Sequence, residues 1–290
     1  MSLLDIWRND PSQLDPYRVR QIVSFAGNGV LSDGNFTSNE FREFLSYVDS
    51  QKLFVYVRNC LGEKFERSGF VLQDLVNELG RRLDYKVING RYRGSVQSIG
   101  HDGLWEAPSG WKLVIEVKTT DTYRVDLEVL ARYRMQLREQ GQLDDRSSIL
   151  IVVGRQETGD LEAQIRGSRH AWDIRLLSAD ALVKLVSLKE EGDAATAERI
   201  RSLLLPNEYT RLDSLIEIVF DTAEDGREAG DAHCATKDSS GRVLTAGKAR
   251  RQKLAERSPE QKLSDLRARV MQGYAASQKA GQFKKSKLQY

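Results

Sequence analysis

The chain has 290 residues, a formal net charge of +2, 40% hydrophobic and 30% charged residues, which is the composition of an ordinary folded protein and excludes a fibrous or wholly disordered class. No apolar run approaches the roughly 18–20 residues that span a bilayer, and the longest, such as Ile149–Val153, are strand-sized. Cys60 and Cys234 are too few for a disulfide framework or a Cys-rich zinc site, and Met1–Asp5 lacks the features of a secretory signal, so a reducing cytoplasm is the expected compartment.

The small net charge hides an asymmetry. Between Arg242 and Lys287 lie thirteen Lys/Arg against only Glu256, Glu260 and Asp265, a tail of about +10 on a body of about −8. Such a tail suits nucleic-acid contact through phosphates; a solvated tail without a ligand is the alternative. The stretch Thr222–Ser240 is acidic, small and turn-rich, as linkers are.

In chain order, Asp15-Pro16 reads as a helix start followed by an apolar face at Tyr17, Val19, Ile22, Val23 and Phe25. A turn-rich loop carries Gly27, Gly29 and Gly34. It is not a phosphate loop, because no buried strand precedes it and no Lys-Ser/Thr pair closes it. Ser38 with Phe41, Phe44, Leu45 and Val48 gives a second helix, and Leu53–Leu61 a third. Leu72, Leu75, Val76, Leu79 and Leu83 then recur at helical spacing over Ser68–Leu83. Tyr85–Ile88 begins a strand that the Asn89-Gly90 pair is expected to turn as a hairpin. Pro108-Ser109-Gly110 marks a turn between Asp102–Trp105 and the β-rich run Trp111–Thr120.

Beyond it, Val125–Leu137 is helical, with Leu127, Leu130, Tyr133 and Leu137 on one stripe, and Ser148–Val153 is a buried strand. Leu161–Trp172 reads as a helix whose polar face holds Gln164, Arg166, Arg169 and His170. Ile174–Leu177 is a short strand, and Ala179–Leu188 a helix started by Ser178. The order predicts an α/β fold with a mixed central sheet flanked by helices. Three segments are expected: a small N-terminal helical segment over 1–62, a core over 63–220, and a linker with the basic C-terminal tail over 221–290.

The chemistry lies in Lys112-Leu113-Val114-Ile115-Glu116-Val117-Lys118. Strand alternation puts Glu116 and Lys118 on one face, with Leu113, Ile115 and Val117 on the other. Charged residues at successive same-face positions of a buried strand are costly unless paired or bound to a metal. Asp102 lies one turn upstream, with thirteen residues between it and Glu116. Folding back at Pro108–Gly110 brings the two carboxylates together as hard oxygen ligands suited to Mg2+ or Mn2+.

Asp102…Glu116-Val117-Lys118 resembles the PD-(D/E)xK nuclease signature, in its Asp-x(n)-Glu-x-Lys form. Over about Ser68 to Leu188 the element order resembles the restriction-endonuclease-like fold, closest in pattern to Mrr-type restriction endonucleases. The run Ala171-Trp172-Asp173-Ile174-Arg175-Leu176-Leu177, followed by Ala181-Leu182, is similar to the closing strand and helix of that group. The resemblance implies that Asp102 and Glu116 hold a metal, helped by the Val117 carbonyl. It further implies that Lys118 orients or helps deprotonate the attacking water, with the metal as Lewis acid. Mrr-type enzymes often carry a Glu on the first core helix. Here Gln73 stands there, and Glu78 lies about 140° further around the helix, which puts a second metal in doubt.

The expected activity is Mg2+-dependent endonucleolytic hydrolysis of DNA, most naturally duplex, in a restriction or defence context. A homodimer is expected, since cutting both strands commonly uses two centres. Cleavage of RNA or branched DNA by the same centre, and a non-catalytic nucleic-acid- or partner-binding module on the same fold, are the alternatives. Thr119, Thr120 and Tyr123 follow the motif, where they serve either as phosphate contacts or as strand-end caps. Arg166 and Arg169 fit either a duplex-backbone contact or an ordinary solvated face.

Overall fold

Four short helices occupy the first sixty residues: α1 (Leu3–Asn9), α2 (Val19–Phe25), α3 (Phe36–Tyr47) and α4 (Ser50–Gly62). The computed structural model describes residues 2–93, 99–119, 125–154, 159–205 and Ile216. Capping sets where these helices begin: the side chains of Ser2, Asn35 and Asp49 accept the backbone N–H groups of Asp5, Ser38 and Lys52. The helix expected from Asp15-Pro16 starts later, at Val19, where the Gln21 side chain accepts the Arg18 N–H. Helix α1 has no counterpart in the sequence reading, because only Leu3 and Leu4 mark its buried side.

Helix α5 (Ser68–Arg82) leads into a five-stranded sheet: β1 (Lys86–Asn89), β2 (Gly103–Glu106), β3 (Lys112–Lys118), β4 (Ser147–Val153) and β5 (Ile174–Ser178), side by side in sequence order. The β1–β2 and β2–β3 pairs are antiparallel, and β3–β4 and β4–β5 are parallel. The parallel steps cross over through α6 (Leu127–Glu139) and α7 (Gly159–Arg166), and α8 (Ala179–Glu191) and α9 (Ala194–Leu203) close the described chain. This is the mixed sheet with flanking helices that the pattern predicts. Among the described residues no helix is long and apolar enough to cross a membrane.

Alternation along the strands divides the interior into two layers. Trp105, Leu113, Ile115, Leu150, Val152 and Leu177 pack with α1 to α5 and α8. Leu104, Val114, Ile149, Ile151, Val153 and Leu176 pack with α6 and α7. The N-terminal helices therefore share a hydrophobic layer with the sheet. Every residue of β4 is buried, as the apolar run Ile149–Val153 requires.

Two local expectations are corrected. Asn89-Gly90 is not a two-residue turn: Asn89 pairs with Gly103, and the connection runs to Asp102. Gly90 serves instead for close backbone approach, since a Cβ there would sit 1.9 Å from the His101 carbonyl oxygen. Helix α7 ends at Arg166, before Gly167 and Ser168, so Arg169 and His170 lie beyond it and do not share one helical face with Gln164 and Arg166. Helix α9, absent from the sequence reading, is started by Asp193, whose carboxylate accepts the Thr196 N–H at 2.7 Å.

Helix α5 carries the buried polar residues Gln73, Asp74, Asn77 and Glu78 among its apolar ones. Glu78 pairs with Arg81 and Arg82, each at 3.1 Å, and Arg82 reaches the Val48 carbonyl at the end of α3. Asp74 pairs with Arg42 of α3 at 2.8 Å and accepts the Tyr92 hydroxyl. Burial pushes the Asp74 carboxyl from 3.8 up to about 6, against the pull of Arg42 and of the Tyr92 hydrogen bond.

Because its folded-state value is raised, Asp74 contributes stability that is fully present below about 3.8 and is lost as pH rises through about 6. In urea titrations over that window, Asp74→Asn should flatten this part of the pH dependence. A second prediction concerns Gly80, where a Cβ would lie 2.5 Å from the Trp105 ring. Gly80→Ala gains about 1 kcal/mol of helix propensity but overpacks a buried contact, so a net loss of about 1–2 kcal/mol is expected by denaturant unfolding.

Candidate active site

Strand β3 makes the site. Its register against β2 pairs Gly103 with Ile115, and the antiparallel ladder continues one residue further as the Asp102 N–H donates to the Ile115 carbonyl at 2.9 Å. The reversal occurs at the expected place, with Gly110 at φ +84° and the Ala107 N–H donating to Trp111. Asp102 thereby arrives beside the end of β3, and its Oδ2 accepts the Val117 N–H at 2.6 Å. In an extended strand the N–H and C=O of one residue leave the same edge, so the Val117 carbonyl projects toward Asp102 as well. Glu116 and Lys118 stand opposite Ile151 and Val153 of β4. They share the Val114 face, and the Lys118 Nζ lies 2.5 Å from Glu116 Oε1.

The charges are tightly interdependent. Burial pushes the Asp102 carboxyl from 3.8 up to about 7, and the neighbouring Glu116 charge adds to the rise; the Val117 N–H and Lys118 oppose it. Burial draws Lys118 down, but the attraction of Glu116 and its hydrogen bond outweigh this, so the ammonium holds its proton more firmly than an ordinary lysine. Two carboxylates with one ammonium leave a negative excess at the sheet's end.

That excess, the hard oxygen donors, and the like-charge opposition at Asp102 fit a divalent cation such as Mg2+ or Mn2+. Asp102, Glu116 and the Val117 carbonyl are the residues that would hold it. Among the described residues no third His, Cys, Asp or Glu joins the group. Such a set leaves coordination positions for water and phosphate.

Three donors converge on the backbone carbonyl of Asp102: the Gly90 N–H at 2.9 Å, Gln73 Nε2 at 3.0 Å and Asn77 Nδ2 at 2.9 Å. Gln73 thus faces the site, where its amide holds the Asp102 backbone. Glu78 points elsewhere, into its arginine pairs. Asn77 is absent from the sequence reading. Fully buried, it also accepts the Trp105 indole N–H at 2.9 Å, and a Cβ on Gly103 would come within 2.2 Å of its Oδ1. An Asn four residues after Gln73, and so on the same face of the helix, is the signal that could have found it. Trp105, fully buried, is a core residue as expected.

A cleft of about 480 Å3 opens over Glu116 and Lys118, lined also by Gly69, Thr119, Asp126 and Tyr133. Thr119 is therefore at the site, whereas Thr120 and Tyr123 lie outside the described residues, as does the basic tail. One wall is the first turn of α5, where the N-cap residue Arg67 makes no side-chain cap bond. A second cleft of about 390 Å3 shares Val125 and Asp126 with the first and is lined by Glu128, Gly167 and Ser168. Arg166 pairs with Glu162, and Arg169 with Glu128 at 2.5 Å, so both carry a carboxylate partner.

In comparisons with known proteins, the sequence matches no family model, and no curated protein matches it.

Proposed function

We propose that this chain is a Mg2+-dependent endonuclease that hydrolyses phosphodiester bonds in DNA, built on a restriction-endonuclease-like core of the PD-(D/E)xK superfamily. The observation that carries the reading is the convergence of Asp102, Glu116 and Lys118 at the end of β3, beside an open cleft. The element order supports it: a helix, three antiparallel strands, then two parallel crossovers. The uncapped start of α5 on the cleft wall suits a phosphate, and the basic tail suits a duplex. A restriction or defence role in the cytoplasm, acting as a homodimer on duplex DNA, completes the proposal.

A bound divalent cation would supply neutralisation of the two carboxylates and a more acidic water. The chain's own residues do the rest. Asp102, fixed by its backbone bonds and by the Val117 N–H, and Glu116 would be the carboxylate ligands of that cation. Lys118 is protonated in this arrangement, so it acts as a donor: it orients the attacking water or steadies charge on the phosphorane oxygens. The water oxygen bonds to phosphorus and gives up a proton to solvent, the bond to one ester oxygen breaks, and the leaving oxygen takes up a proton from solvent.

Purified protein incubated with plasmid DNA and Mg2+ or Mn2+ should nick or linearise it, and Lys118→Ala should lower the rate about a hundred- to a thousandfold. Wild-type protein inert with either metal would sink the reading. Calorimetric titration with Mn2+ should show binding that Asp102→Ala abolishes; DNA binding without any cation dependence would favour a non-catalytic module. Asn77→Leu, which frees the Asp102 carbonyl of one donor, should weaken Mn2+ binding by roughly ten- to a hundredfold.

A further inference from the structure

Tyr133 sits where the function just proposed does not require it. It belongs to the α6 stripe with Leu130 and Leu137, which are buried in the layer over β3 and β4. Packing alone would be served by a third leucine. Tyr133 is only partly buried, and it lines the same cleft as Glu116 and Lys118. Its phenol lies over Gly100, two residues before Asp102: a Cβ on Gly100 would be 3.0 Å from the Tyr133 oxygen and 3.3 Å from Cζ. A side chain at Gly100 would press the hydroxyl aside by a few tenths of an ångström. Among the described residues the Tyr133 oxygen makes no hydrogen bond.

The cleft thus has a cationic donor on one wall, Lys118, and a neutral donor on the facing helix, both reaching space large enough for a phosphodiester. We propose that the Tyr133 hydroxyl donates a hydrogen bond to a non-bridging oxygen of the substrate phosphodiester, fixing the phosphate between α6 and the end of β3. A hydroxyl suits this role because it donates without adding charge beside Lys118, and because the aromatic ring anchors it to the packed face of the helix. The inference rests on the nuclease reading for its substrate class, yet concerns binding and can be tested apart from turnover.

The test uses the full chain, with Tyr133→Phe, Gly100→Ala and the double variant. Binding of thymidine dinucleotide, which carries one phosphodiester, is measured by calorimetry without divalent cation; plasmid cleavage is measured with Mn2+; thermal unfolding monitors the fold. Tyr133→Phe, which keeps the ring, should weaken dinucleotide binding and slow cleavage by roughly ten- to a hundredfold with unchanged unfolding. Gly100→Ala should cause a smaller loss of both by shifting the phenol oxygen, and should cost almost nothing further once that oxygen is gone. Wild-type cleavage with Tyr133→Phe equal to wild type in both assays overturns the inference and leaves the nuclease reading standing. Wild-type binding that Tyr133→Phe loses, without any cleavage, upholds the contact and overturns the nuclease reading. No dinucleotide binding by the wild type overturns the contact.

Discussion

Asp102 is partly buried, and its carboxyl lies close enough to Glu116 for that charge to oppose its ionisation. Left to itself, such a pair would relax apart or keep a proton, because low-dielectric surroundings magnify the repulsion. Backbone geometry prevents the first outcome. Asp102 is tied on one side to β3 through its N–H and its carboxylate, and on the other through its carbonyl to Gly90, Gln73 and Asn77. The repulsion is thus retained in the fold as a standing demand for positive charge, which Lys118 meets in part.

The helices N-terminal to the sheet serve that restraint. Helix α5 presents Gln73 and Asn77 to Asp102, and the same turns bring Asp74 to Arg42 and Glu78 to Arg81 and Arg82. Asp33, in the loop before α3, accepts the Tyr92 N–H at 2.8 Å and the Arg93 N–H at 3.3 Å, while Phe70 stacks on the Tyr92 ring at 4.6 Å. The first sixty residues therefore hold the far side of α5 and the chain leaving β1. A segment read from sequence as a helical addition shares its layer with the residues that fix the site.

The sequence makes the centre of the site legible and its support obscure, for a physical reason. Side-chain alternation in β3 is a period-two property of seven consecutive residues, so Glu116 and Lys118 can be assigned to one face without any tertiary knowledge. The turn at Gly110 then needs only local chemistry to bring Asp102 alongside. Asn77 and Tyr133 act across the fold, on partners 25 and 33 residues away in sequence, and nothing in their neighbours announces it. Gly90 misleads for the same reason: next to Asn89 it carries a turn signal, but its lack of a side chain serves a contact with His101 and Asp102.

That contact has a consequence for how such a protein can change. The Gly90 N–H donates to the Asp102 carbonyl, so the chain enters and leaves the stretch 91–101 at nearly one point. A loop pinched at its base can lengthen or alter its composition at little entropic cost, and its changes are not transmitted to the strands it joins. One glycine at the neck thus separates the composition of this stretch from the geometry of the strands on either side.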